Sequence, residues 1–153
     1  VKHEGGAGQI EIVEFLDGKD IAVCAHLGLK PQSVHKVGGF RVQGREEAAA
    51  EQMARDAIAL QNAGADIVLL ECIPAALGAS ITRELRVPVI GIGAGPDTDG
   101  QILVLYDVLD ITAGGKPKFS KNFLAGHDSA LEAVKAYTQA VKSRDYPAAE
   151  HCF

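Results

Sequence analysis

The chain opens on VKHEGG, in which Lys2 and Glu4 occupy alternate positions. In an extended segment both side chains leave the same face. A second carboxylate, Glu71, closes the apolar run at residues 67–70 of ADIVLLECIP. Such a run reads as a buried strand, where an unpaired carboxylate is costly. His26 stands at the matching place after the apolar stretch IAVCA. The set of a lysine, two carboxylates and an imidazole has an obvious chemistry. An ammonium holds an anionic substrate, one carboxylate ligates a hard divalent ion such as Mg2+, and a second carboxylate removes a proton.

Each residue also has a plainer use. A strand-terminal glutamate caps a neighbouring helix or pairs with arginine, a histidine near glycine serves as a hydrogen-bonded structural residue, and Lys2 and Glu4 sit where solvated charge is common. GIGAGPDTDG, residues 91–100, invites a dinucleotide reading, but its glycines are spaced GxGxG and no following helix completes the pattern. Those glycines instead suit a tight turn or close backbone approach at a strand end, with Asp97 and Asp99 in the turn.

The elements that must position these groups alternate along the chain. KDIAVCAHLG supplies a strand over residues 21–25, and residues 45–64 give a helix with Ala50, Met53, Ala57 and Leu60 on one face, stopped at Gly64. The strand ending at Glu71 follows. Pro74 then opens a helix that must end before Pro88, VPVIGIGAG is a third buried strand, and QILVLYDVLD is a fourth that runs into a short helical turn. A terminal helix at DSALEAVKAYTQAVKS is marked by a capping box of Ser129 and Glu132 and a stripe of Leu131, Val134, Tyr137 and Val141. Strands separated by helices imply parallel pairing, in a doubly wound sheet or a β/α barrel. In both, ligands sit beyond the carboxyl ends of the strands.

With 153 residues, 47% hydrophobic and 23% charged, the chain reads as a single globular domain. A net charge of -5 and dispersed basic residues argue against a nucleic-acid partner. No apolar run reaches the roughly 18 residues of a membrane span and no start resembles a signal peptide, so a cytoplasmic location is expected. Cys24, Cys72 and Cys152 are too few and too scattered for a disulfide framework or a CxxC metal site. Because the chain begins at Val1 and its only methionine is Met53, it is read as truncated.

Several blocks taken together carry a resemblance that spans the whole chain: VKHEGG, CAHLGLKPQSVHKVGGFRVQGR, VLLECIP, IGIGAGPDTDGQILVLYDVLDI, PKFSKNF and YPAAEH. In this order they closely resemble the ketopantoate hydroxymethyltransferase family. The resemblance implies an α/β fold, a (β/α)8 TIM-type barrel of the phosphoenolpyruvate/pyruvate superfamily, of which this chain supplies about strands 4 to 8. It implies transfer of a one-carbon unit from 5,10-methylenetetrahydrofolate to α-ketoisovalerate, with Mg2+ bridging enzyme and substrate, in a homo-oligomer that is usually a decamer.

Carried onto these positions, the resemblance makes Lys2 a contact of the substrate carboxylate, Glu4 part of the metal site, Glu71 the general base and His26 a polar contact near the substrate. It also implies two further aspartates and a serine on earlier strands, whose motifs do not occur in this sequence. His3, Tyr106 and Cys152 depart from the residues usual in the family. Two alternatives stand beside this reading: another enzyme of the superfamily that makes or breaks a C–C bond, and a non-catalytic fragment that needs its amino-terminal complement.

Overall fold

A computed structural model describes residues 1–30 and 41–153. The middle of the second resemblance block, residues 31–40, lies outside the described residues. Among the described residues five strands occur, the first four alternating with helices and the fifth following β4 directly: β1 (Lys2–Glu4), α1 (Ile10–Asp17), β2 (Cys24–Gly28), α2 (Glu47–Asn62), β3 (Ile67–Glu71), α3 (Ala75–Glu84), β4 (Val89–Ile92) and β5 (Gly100–Gln101). Two helices follow, α4 (Leu105–Val108) and α5 (Ala130–Lys142).

All four strand pairings are parallel, and the spatial order β1-β2-β3-β4-β5 is the order in the chain. A doubly wound sheet reverses its order at a switch point and carries helices on both faces. Here the order never reverses, and Val13 of α1, Ala57 and Leu60 of α2 and Ile81 of α3 all join one core against Ala25, Leu27, Val68, Leu70 and Val89. The sheet with helices wound along one side is the pattern of a partial (β/α)8 barrel.

Strand alternation sorts the remaining side chains onto the opposite face, which is the barrel interior: Cys24 and His26, Leu69 and Glu71, Ile90 and Ile92. Leu69 and Ile92 pack there with Phe119, Phe123 and Tyr146 from the segments around α5. Leu70, wholly buried among the helices, is the kind of residue whose truncation to alanine costs about 2–5 kcal/mol.

Several elements differ from the sequence reading. Strand β2 begins at Cys24 rather than Ile21, because pairing with β1 starts at Lys2↔Cys24. The Val23 amide is instead held by the Asp66 carboxylate at 2.7 Å, and Ile21 is tied back to the Leu16 carbonyl at 3.1 Å. His26 therefore lies within a strand rather than after one. Helix α1 is an addition, its Ile10, Val13 and Leu16 turned toward the core. The fourth strand of the sequence reading shrinks to β5, followed by one further pairing bond from the Ile102 amide to the Gly91 carbonyl at 2.9 Å.

Helices α2 and α3 match their expected spans, with the Ala65 amide reaching back past Gly64 to the Leu60 carbonyl at 3.0 Å. In α5, the Ser129 hydroxyl caps the Glu132 amide at 3.3 Å, but the Glu132 carboxylate accepts from Asp128 rather than closing the box on Ser129. The buried stripe also differs. Leu131 is exposed while Ala133 is wholly buried, since a small residue lets the helix approach the aromatic side chains of Phe123 and Tyr146. Among the described residues no helix is long and apolar enough to cross a membrane.

Candidate active site

Strands β1, β2 and β3 bring together all four residues singled out in the sequence. In the register of β1 and β2, Glu4 stands level with His26, and both point into the barrel interior. His26 is level with Leu69 of β3, so Glu71 lies two residues farther toward the carboxyl end. The imidazole spans that step.

The contacts form one line. The Lys2 ammonium is paired with Oε1 of Glu4. Nδ1 of His26 lies 2.6 Å from Oε2 of Glu4, and Nε2 of His26 lies 3.1 Å from Oε2 of Glu71. The last contact is within ion-pair distance but lacks the alignment of a hydrogen bond, leaving Nε2 without a hydrogen-bond partner among the described residues. Exposure falls from Lys2, 48% accessible, through Glu4 at 25% to His26 at 0%, and rises again to 15% at Glu71.

Burial pushes the Glu4 carboxyl up, but the hydrogen bond from Lys2, the charges of His26 and Lys2 and the hydrogen bond from His26 outweigh it. The net result lies below the ordinary carboxylate value of 4.5. Glu4 is thus held as an anion, and its oxygens are hard donors of the kind Mg2+ takes. It fits one position of such a site. Among the described residues no group of three or more His, Cys, Asp or Glu side chains has an arrangement that could hold a metal ion.

Glu71 is positioned by how its strand ends. The Glu71 carbonyl accepts from the Leu29 amide at 2.9 Å, the Cys72 amide donates to the Ile92 carbonyl at 2.9 Å, and Cys72 itself turns to φ 54°. That left-handed residue swings the chain out of the sheet toward α3 and leaves the carboxylate at the rim. Gly28, which the sequence reading did not single out, is level with Glu71 and has φ +95°. Its signal is a glycine two residues after a strand-borne histidine, on the same face of β2, visible only once the register is known.

The glycines of GIGAGPDTDG serve the chain's own packing. A Cβ on Gly93 would meet the Phe119 ring at 2.4 Å and one on Gly95 would meet Ala75 at 2.5 Å, while Asp99 caps the Val89 amide at 2.8 Å. His3 faces away from the site and contacts Gln9 at 3.0 Å. A cleft of about 350 Å3 adjoins His26 at the carboxyl ends of β1 and β2, lined also by Gly5, Lys30, Gln52 and Asp56.

A lysine and an imidazole on the interior face of parallel strands, with the carboxylates of Glu4 and Glu71 at two strand carboxyl ends, have the layout of a candidate site in a β/α barrel. A family model described as ketopantoate hydroxymethyltransferase matches residues 1–149. The chain belongs to that family. A 3-methyl-2-oxobutanoate hydroxymethyltransferase of Marinobacter nauticus is 58% identical over 153 residues, covering 100% of this chain and 58% of the relative. Proteins of the same name from Alkalilimnicola ehrlichii and Chromohalobacter salexigens are 59% and 56% identical over the whole chain, which covers 55% and 58% of them. The chain therefore spans a little over half the length of these curated relatives.

Proposed function

We propose that the protein transfers a hydroxymethyl group from 5,10-methylenetetrahydrofolate to α-ketoisovalerate, forming ketopantoate for pantothenate synthesis. The observation that supports this reading is the row of close contacts Lys2–Glu4–His26–Glu71 on the interior face of β1, β2 and β3 in a chain of this family.

The roles follow from exposure and charge. Lys2, half exposed, offers its ammonium to the carboxylate of the keto acid. Glu71, at the rim, takes the hydrogen on the carbon beside the ketone, and the electron pair of that C–H bond becomes an enolate. The enolate carbon bonds to the folate-borne methylene as one of its C–N bonds breaks and the electron pair goes to that nitrogen; water then replaces the second C–N bond, giving the hydroxymethylated acid and tetrahydrofolate. Glu4 would hold Mg2+ as one ligand among others contributed by substrate, water and residues beyond those described; bound there, the ion would polarise the ketone and acidify the neighbouring C–H.

The greater length of the relatives supports a protein in which further strands pair with the edges at β1 and β5 and close the barrel. Ile102, Val104 and Leu105, all about half exposed beside β5, suit such a junction. The assembly is a homo-oligomer, a decamer by resemblance, located in the cytoplasm and without nucleic-acid or membrane partners.

The test is product formation by the intact protein from α-ketoisovalerate and methylenetetrahydrofolate, with and without added Mg2+, followed by NMR. Ketopantoate is expected. Turnover of a different α-keto acid in its place would favour another C–C bond enzyme of the superfamily, and activity by the 153-residue chain alone would overturn the need for further strands.

A further inference from the structure

We infer that His26 is a positioning residue whose two ring nitrogens act on separate partners. Nδ1 sets Glu4 and, through it, the Lys2 ammonium, while Nε2 sets Glu71. This rests on the roles proposed above for Lys2 and Glu71, and it replaces the expectation that His26 contacts substrate.

Burial is the first reason. The imidazole is 0% accessible, whereas the three charged groups around it all reach solvent to some degree. On the interior face the accessible surface therefore belongs to those charged side chains and not to the ring.

Hydrogen placement is the second. An ionised carboxylate only accepts, so the 2.6 Å contact with Glu4 puts a hydrogen on Nδ1. The other Glu4 oxygen is bound to the Lys2 ammonium. A shift of the imidazole therefore moves Glu4, and Glu4 moves the cation that receives the keto acid.

The third reason lies at Nε2. It is one of only two buried side-chain polar atoms among the described residues that lack a hydrogen-bond partner, and Glu71 Oε2 stands 3.1 Å away. A buried polar atom without a partner is costly, so it is normally explained by a function or by a partner reached in another state. The carboxylate of Glu71 is the group within reach, and a small rotation brings it into line. Gly28, level with Glu71, lets the Glu71 backbone sit close to β2, since a Cβ there would meet the Glu71 carbonyl oxygen at 2.1 Å.

Two amides separate the arms. The side-chain nitrogen of asparagine falls where Nδ1 is, and that of glutamine where Nε2 is, by the number of bonds from Cβ. The reading is exchange of the methine hydrogen of α-ketoisovalerate in deuterated water by the intact protein, without folate, followed by NMR. His26→Asn is expected to keep the half-saturating concentration within about threefold and to lower the maximal exchange rate roughly 10- to 100-fold. His26→Gln is expected to raise the half-saturating concentration about tenfold or more and to keep most of the maximal rate. His26→Ala loses both.

Equal loss in all three variants, or their failure to fold by circular dichroism, would mark the imidazole as packing and overturn the inference; so would wild-type behaviour in all three. Wild-type exchange without ketopantoate formation would instead sink the proposed transfer and still leave the His26 split measurable. Absence of wild-type exchange overturns both.

Discussion

Gly28 and Glu71 stand level in the parallel pairing of β2 with β3, and a Cβ on Gly28 would lie 2.1 Å from the Glu71 carbonyl oxygen. At φ +95° a side chain is strained even without that collision. Gly28→Ala should therefore destabilise the protein by at least about 2 kcal/mol and displace the Glu71 backbone. Urea unfolding measures the first effect and methine exchange of the keto acid the second.

Glu71 is the only carboxylate at the end of β3, and it meets His26 without an aligned hydrogen bond. Glu71→Gln keeps the shape and removes the base. Methine exchange should fall roughly 10²- to 10⁴-fold while stability changes by less than about 1 kcal/mol. A variant that still exchanges at the native rate would remove Glu71 from the mechanism.

Lys2 is paired with Glu4 yet half exposed, so the pair contributes no more than about 1 kcal/mol to stability. Lys2→Met should leave the unfolding midpoint nearly unchanged. Its half-saturating keto-acid concentration should rise about tenfold or more, the loss expected when a charged hydrogen bond to a substrate carboxylate disappears.

Glu4 titrates below 4.5 in the fold, because the hydrogen bonds and charges of Lys2 and His26 outweigh its burial. The folded state then binds fewer protons at this group than the unfolded chain does. Its stabilisation is full above the ordinary value of 4.5 and fades as pH falls through the lower folded value. Unfolding measured between about pH 3 and 7 should show this loss in the wild type and a flatter profile in Glu4→Gln.

Burial, with the Glu71 charge adding to it and Arg45 opposing, pushes the Cys72 thiol from 9.0 up to about 11. Alkylation at about pH 8 should be slow at this cysteine, roughly a hundredfold below an ordinary thiol. Glu71→Gln should speed it. Peptide mapping of the alkylated protein reads the two rates directly.

Much of this molecule is local and so was legible in the residues. Apolar runs bounded by glycine and proline located β3 and β4, helical spacing located α2 and α3, and Ser129 located the start of α5. Glu71 and His26 stood out as candidates because a polar group closing an apolar run is chemically conspicuous, and Lys2 and Glu4 because alternate positions share a face. The alternation of strand and helix dictated parallel pairing without choosing between two architectures.

That choice belongs to the tertiary structure, in a strand order that never reverses and helices gathered on one face. So does the start of β2, because the Val23 amide is capped by Asp66, 43 residues away. The buried face of α5 turns on Ala133 fitting against aromatic side chains that helical periodicity does not see. Above all, the placement of His26 between Glu4 and Glu71 depends on how three strands align. Residue types and their spacing specify what each segment can form; register and packing arise from contacts between segments far apart in the chain, and these decide which groups touch.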